Sequence, residues 1–270
     1  MNTDEALWNI EFYQAAARFF WSPQNIGAQK LARDKRKTLP ATLENLVTTE
    51  TTLNHQLNLF FRLAPKSLPG RILSRIFGQQ IEDKFTLRTQ EDVTRLFLGK
   101  DVMQPDFLFN GDAAIASIEM KIGKAHKCSV EQVGKYLLAH SFNEMWSGKR
   151  ETHCFVLLHE RSFDKCWDHD NRIGSCDDLR KELLAYEFPD KTRKGGLDLT
   201  QHHSRLEELK RDTLLGNLTY RTLAGILEDE REALPAIEAA ETYKRLIDGM
   251  LDEFQRAGML TASAEEVASV

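Results

Sequence analysis

Apolar residues recur at helical spacing in LWNIEFYQAAARFFW, and the run stops at Ser22-Pro23, because proline lacks a backbone donor and cannot continue the hydrogen-bond ladder. A short basic stretch, QKLARDKRK, leads to Pro40. The pattern predicts a second helix from Thr42 to Ala64, with Leu43, Leu46, Leu53, Leu57, Phe60 and Phe61 close to one face, ended by Pro65. After Pro69-Gly70 the texture changes: GQQIEDKFTLRT alternates apolar and polar residues as a half-buried strand does. QPDFLFNGDAAIASIEMKIG reads as two strands joined near Asn110-Gly111. SVEQVGKYLLAHSFNEMW reads as an amphipathic helix capped by Ser129, and THCFVLLHE as a buried strand. The expected order is helix, three strands, helix, strand.

Beyond Glu160 the signals weaken. Residues 161–202 are polar, expected as loop with one helix around Cys176 to Glu187 and a break at Lys194-Gly195-Gly196. Helical spacing returns in RLEELKRDTLL, LTYRTLAGILEDERE and AIEAAETYKRLIDGMLDEFQRAG. The expected division is therefore residues 1–160 as N-terminal helices plus an α/β core, the core covering about 42–160, and residues 161–270 as a mainly helical, acidic extension packed on it.

A chain of 270 residues with 41% hydrophobic and 29% charged residues can bury a core without disulfides, and its apolar runs are too short for a membrane span. The acidic N-terminus, MNTDEALWNIEFYQ, does not resemble a secretory signal, so the cytoplasm is the expected setting and no membrane partner is expected. The four cysteines form no CxxC pair and are expected as reduced thiols. Cys166, His169 and Cys176 approach a zinc spacing but lack a fourth ligand, and the plain reading as ordinary side chains prevails. The net charge of −5 hides an asymmetry: residues 1–150 hold 20 basic and 16 acidic residues, and the remainder 16 basic and 25 acidic. Local field decides polyanion binding, so the global charge does not veto a nucleic-acid substrate.

The chemistry concentrates between Pro105 and Lys121. Glu119 and Lys121 are two apart on an expected strand, so both share one face while Ile118, Met120 and Ile122 take the other. Asp106 begins the preceding strand, and a hairpin brings the start of one strand beside the end of the next. A two-residue Asn110-Gly111 turn would set Asp106 against Ile115; a four-residue connection, Gly111 to Ala114, would set it against Glu119. The longer connection, or a bend of the same effect, is expected. Two adjacent carboxylates repel, and a hard cation such as Mg²⁺ or Mn²⁺ relieves the repulsion while lowering the pKa of a bound water. Lys121 can then orient that water or stabilise charge developing on phosphorus.

Pro105-Asp106, a spacer, Glu119-Met120-Lys121, and a following helix with Gln132 and Tyr136 in the spacing QxxxY resemble the PD-(D/E)XK nuclease superfamily, in particular stand-alone bacterial members with IExK and QxxxY. The resemblance covers about residues 42–160. It implies a restriction-endonuclease-like α-β-β-β-α-β core: a mixed sheet flanked by helices. It further implies metal ligands at Asp106 and Glu119, a catalytic Lys121, and Gln132 and Tyr136 facing the site. The family's helix acid falls on Glu50, with Glu44 and Glu82 as alternatives, and Glu50 would be a third metal ligand. Lys124, Lys127 and Lys135, with Lys149, Arg150 and the segment 30–37, are candidates for contacts to a phosphate backbone, or simply solvated charge. The expected function is Mg²⁺-dependent hydrolysis of phosphodiester bonds, in DNA rather than RNA, in defence or repair. The alternative is a catalytically silent nucleic-acid- or partner-binding protein on the same fold. A homo-oligomer or protein partner would engage the acidic C-terminal helices.

Overall fold

In the computed structural model the described residues are 8–9, 50–122, 127–148, 152–168 and 173–260. In chain order they form α1 (Glu50–Leu63), α2 (Leu68–Phe77), β1 (Thr86–Leu87), α3 (Gln90–Leu96), β2 (Phe107–Asn110), β3 (Ala114–Lys121), α4 (Val130–Ser147) and β4 (Thr152–His159). There follow α5 (Cys176–Ala185), α6 (His203–Asp212), β5 (Leu214–Thr219), α7 (Tyr220–Ala233) and α8 (Glu238–Arg256), with 3₁₀ turns at Phe163–Cys166 and Thr200–His202. Among these residues no helix is long and apolar enough to cross a membrane.

The chain divides into two compact units, one of residues 1–64 and 220–270, the other of residues 65–219. The division expected at 160/161 is therefore displaced. Residues 161–219 belong with the sheet and supply its fifth strand, and only α7 and α8 of the expected extension lie outside it. In the first unit α8 contacts α1 and α7, and Arg231 on α7 pairs with Asp248 on α8. Trp8 donates from Nε1 to the Leu246 carbonyl at 3.0 Å, and lies so close to Gly249 that a Cβ there would come within 2.0 Å of the indole.

In the second unit five strands lie in the order β1-β2-β3-β4-β5. The first three form an antiparallel meander, after which β4 runs parallel to β3 and β5 parallel to β4. The protein is thus α/β, with a mixed sheet flanked by helices. Central strands buried on both faces read as continuous apolar runs, and every residue of β3 and all but Thr152 of β4 are buried. Beneath α4 lie Leu108, Ile115, Phe155 and Leu157, packed with Val133, Tyr136 and Leu137 of the helix. Ser129 caps α4, its side chain accepting from Gln132 N at 3.1 Å.

Three local features differ from the expected order. Pro69-Gly70 opens α2, a helix that the spacing does not predict: proline suits the first helical turn, where its missing N–H costs nothing, and Gly70 is needed for close approach. A Cβ on Gly70 would come within 2.6 Å of the Ile81 carbonyl oxygen. Gly70→Ala should destabilise the protein by about 1–3 kcal/mol, through overpacking against backbone that cannot yield; chemical denaturation measures this, and an unchanged midpoint would refute it. Next, the strand expected in residues 78–89 is confined to Thr86–Leu87, and α3 follows it with a capping box between Thr89 and Asp92. Finally, LLGNLT is strand β5, where the spacing suggested one helix ending at Leu215 and another beginning at Leu218: Gly216 leaves room for Ile76 and Phe77 of α2, whose side chains would meet a Cβ at 2.6 and 3.0 Å.

Candidate active site

The β2–β3 register pairs Phe107 with Ile118 and Asn110 with Ile115, leaving Gly111 to Ala114 as the connection. One step further along the ladder, Asp106 faces Glu119. Asp83, from the loop before β1, holds this connection. Its carboxylate accepts from the backbone N–H groups of Asp112 (3.0 Å), Ala113 (2.8 Å) and Ala114 (3.0 Å), and a Cβ on Gly111 would fall 2.1 Å from its Oδ2. Burial opposes ionisation of Asp83, but these donors outweigh it and keep its carboxyl below the usual value.

Asp106 and Glu119 meet at the N-terminal end of α4. Asp106 Oδ2 accepts from Met120 N at 2.8 Å, and Asp106 N donates to the Tyr136 hydroxyl at 3.1 Å. That hydroxyl in turn donates to Glu119 Oε2 at 2.5 Å. Glu119 Oε1 accepts from both Lys121 Nζ and Gln132 Nε2. Glu119 is only 3% exposed and Lys121 9%, so their ion pair is buried and carries weight that a surface pair would not. Burial, then the charges of Glu119 and Asp106, push the Tyr136 phenol well above its usual pKa and keep it a proton donor. Cys128 lies nearby and is also kept protonated, by burial first and by Glu119 second.

The structure thus brings together Asp106, Glu119, Lys121, Gln132 and Tyr136. Lys135, one turn from Glu131, pairs with it at 3.0 Å on the rim of the site. Lys127 is half-buried and donates to the Lys165 carbonyl, which holds it against the protein. Glu82 is exposed in the loop before β1, accepting from Gln80, and is not on a strand. Glu50 begins α1 in the other unit, and its side chain lies outside the described residues, as do Glu44, Lys124, Lys149, Arg150 and residues 30–37. His169 is outside them too; Cys128, Cys154, Cys166 and Cys176 are free thiols, and burial raises Cys154 to about 12 and Cys166 to about 11. Among the described residues no group of three or more His, Cys, Asp and Glu side chains forms a metal cluster. Asp106 and Glu119 supply two hard oxygen donors.

Residues that the motif reading passed over extend the site inward. Gln132, Tyr136, His140 and Glu144 follow one another at four-residue intervals along α4, a stripe visible in the sequence, and they meet Glu119 and Ser117 of β3 and His153 of β4. His140 Nε2 shares a 2.7 Å hydrogen bond with Ser117 Oγ, and its ring stacks on His153 at 5.3 Å. His153 Nε2 lies 2.7 Å from Glu144 Oε1, and Arg205 of α6 grips the Glu144 carboxylate with two hydrogen bonds of 2.6 and 2.7 Å.

Burial, reinforced by His153, pushes His140 well below the usual histidine value; burial also lowers His153, against the pull of Glu144, and lowers His159 and His202. These rings resist protonation in the folded protein, while histidines of the unfolded chain take up protons below about 6.5. Their contribution is complete above that pH and is lost as pH falls through it towards the depressed folded values. Each histidine should steepen the acid limb by up to about 1.4 kcal/mol per pH unit. Urea midpoints between pH 8 and 5.5 should therefore fall with acidity, and less so in His140→Gln; a flat parent profile would contradict this.

No family model matches the chain, and comparison with curated proteins and with solved structures finds no match.

Proposed function

We propose that the protein is a metal-dependent nuclease of restriction-endonuclease-like topology, hydrolysing phosphodiester bonds at Asp106, Glu119 and Lys121. The observation that carries this reading is the buried Glu119 carboxylate, hydrogen-bonded by Lys121, Gln132 and Tyr136 beside Asp106. An antiparallel meander followed by a helix and a parallel strand supports the topology.

The donor set suits Mg²⁺ or Mn²⁺, which favour carboxylate oxygens, and Asp106 and Glu119 are the residues to hold the ion. When bound, such an ion supplies a water of lowered pKa and offsets charge developing on phosphorus. The protein's own groups do the rest. Lys121 keeps a positive charge at the reacting phosphate, Gln132 and Tyr136 fix the Glu119 carboxylate by donating to it, and the Met120 N–H orients Asp106. DNA as the polymer, a cytoplasmic setting in defence or repair, and a protein partner or second copy at the acidic helices α7 and α8 belong to the same proposal.

One observation favours a binding-only reading: both Glu119 oxygens already accept hydrogen bonds, so an ion must compete with Lys121 and Gln132 for Oε1. Incubating the full chain with linear and circular, single- and double-stranded DNA, and with RNA, with and without Mg²⁺ or Mn²⁺, separates the two. Cleavage that requires the metal supports the nuclease; intact substrates and a melting temperature indifferent to both ions would overturn it.

A further inference from the structure

Two depressions run together along α4. One, of about 230 Å³, is lined by Gln132 and Tyr136 of the proposed active site; the other, of about 420 Å³, reaches Tyr186 and Phe188. They share Val102, Glu131 and Lys135, so the groove is continuous with the reaction centre. In the larger depression Tyr186 and Phe188 pack edge-to-face at 5.1 Å, yet each ring remains only partly buried. Gly134 makes this possible: a Cβ there would lie 3.0 Å from Tyr186 Cε1 and 3.4 Å from Phe188 Cε1.

The rim is cationic. Beside Lys135 stand Arg193 and Lys194, whose side chains are 87% and 60% exposed. They sit on a loop that is ordered by its own hydrogen bonds, Thr192 N to Leu197 O at 2.9 Å and Leu199 N to Asp190 O at 2.8 Å, and that turns through left-handed Gly195 and Gly196. Lys135 and Arg193 reach Glu131 at 3.0 and 3.8 Å, and Lys194 reaches Asp101 at 2.5 Å. Such exposed pairs are weak, and phosphates can exchange for their carboxylates.

We infer that this groove is a subsite for an unpaired nucleobase of single-stranded DNA, stacked at Tyr186 and Phe188, with flanking phosphates met by Lys135, Arg193 and Lys194. The inference rests on the nuclease reading and names the substrate class of that site. An aromatic floor with a cationic rim is the combination that holds a single strand, because every base offers a π-face and every linkage a charge. In a duplex the same faces are covered by neighbouring bases.

The test uses the full chain in EDTA with an oligothymidylate carrying one 2-aminopurine, either single-stranded or paired in a duplex. The single strand should bind about tenfold more tightly than the duplex, with its fluorescence quenched by stacking. Phe188→Ala should remove the quenching and weaken binding about tenfold. Arg193→Glu with Lys194→Glu, both on exposed side chains whose ion pairs are weak, should weaken binding by a similar factor and reduce the salt slope by about 1.4. Equal affinity for both strands without quenching, or unchanged binding by the charge-reversed protein, would overturn the subsite. The two readings fail separately. Quenched, strand-selective binding by a protein that cuts nothing with Mg²⁺ or Mn²⁺ removes the nuclease and leaves the subsite. Cleavage abolished by Asp106→Asn but untouched by the groove variants removes the subsite and leaves the nuclease.

Discussion

Asp106→Asn is expected to lower metal-dependent cleavage by roughly three orders of magnitude while leaving the fold intact. The amide oxygen of Asn can still accept the Met120 N–H that the Asp106 carboxylate accepts at 2.8 Å, so the local backbone keeps its partner. What disappears is one of the two negative charges, those of Asp106 and Glu119, that act on the Tyr136 hydroxyl. Without added metal that removal should stabilise the protein by up to about 2 kcal/mol, because like charges no longer repel. Added Mg²⁺ or Mn²⁺ should raise the melting temperature of the parent and not of the variant, since a ligand stabilises only the state that binds it. A variant that cuts as fast as the parent would remove Asp106 from the site.

Lys121→Met should abolish turnover and also destabilise the protein by about 3–5 kcal/mol, the cost of leaving a buried carboxylate without its counter-charge. Glu119 is 3% exposed, so water cannot replace the lost ammonium. Two consequences separate this from a general packing defect. Adding Glu119→Gln to Lys121→Met should recover most of the lost stability, a coupling that a double-mutant cycle in urea measures directly. Added Mg²⁺ should recover part of it in the single variant, because the ion supplies positive charge at the same carboxylate. Additive losses in the cycle would show that the two side chains do not act as a pair.

The sequence by itself determined the elements whose signals are local. β3 and β4 are legible because central strands buried on both faces must be apolar nearly throughout, and α4 because Ser129 caps it ahead of an amphipathic run. The sharing of one face by Glu119 and Lys121 follows from the two-residue period of a strand. The stripe of Gln132, Tyr136, His140 and Glu144 is equally written in four-residue spacing, though the QxxxY motif covers only its first two members.

Tertiary structure alone decided the rest, because the deciding contacts come from far along the chain. Asn110-Gly111 is compatible with two registers. The choice of the one that sets Asp106 against Glu119 is held by Asp83, about thirty residues away, whose carboxylate gathers three N–H groups of the connection. Pro69-Gly70 has the composition of a turn but opens a helix, since Gly70 must pass close to the Ile81 carbonyl. LLGNLT has helical neighbours and becomes a strand, because β4 offers a parallel edge and Gly216 admits Ile76 and Phe77. The groove at Tyr186 and Phe188 likewise exists only after folding, when Gly134 on α4 makes room for two rings from a segment some fifty residues on. Periodicity reports which face of an element is apolar; it carries no information about which distant backbone or carboxylate that face will meet.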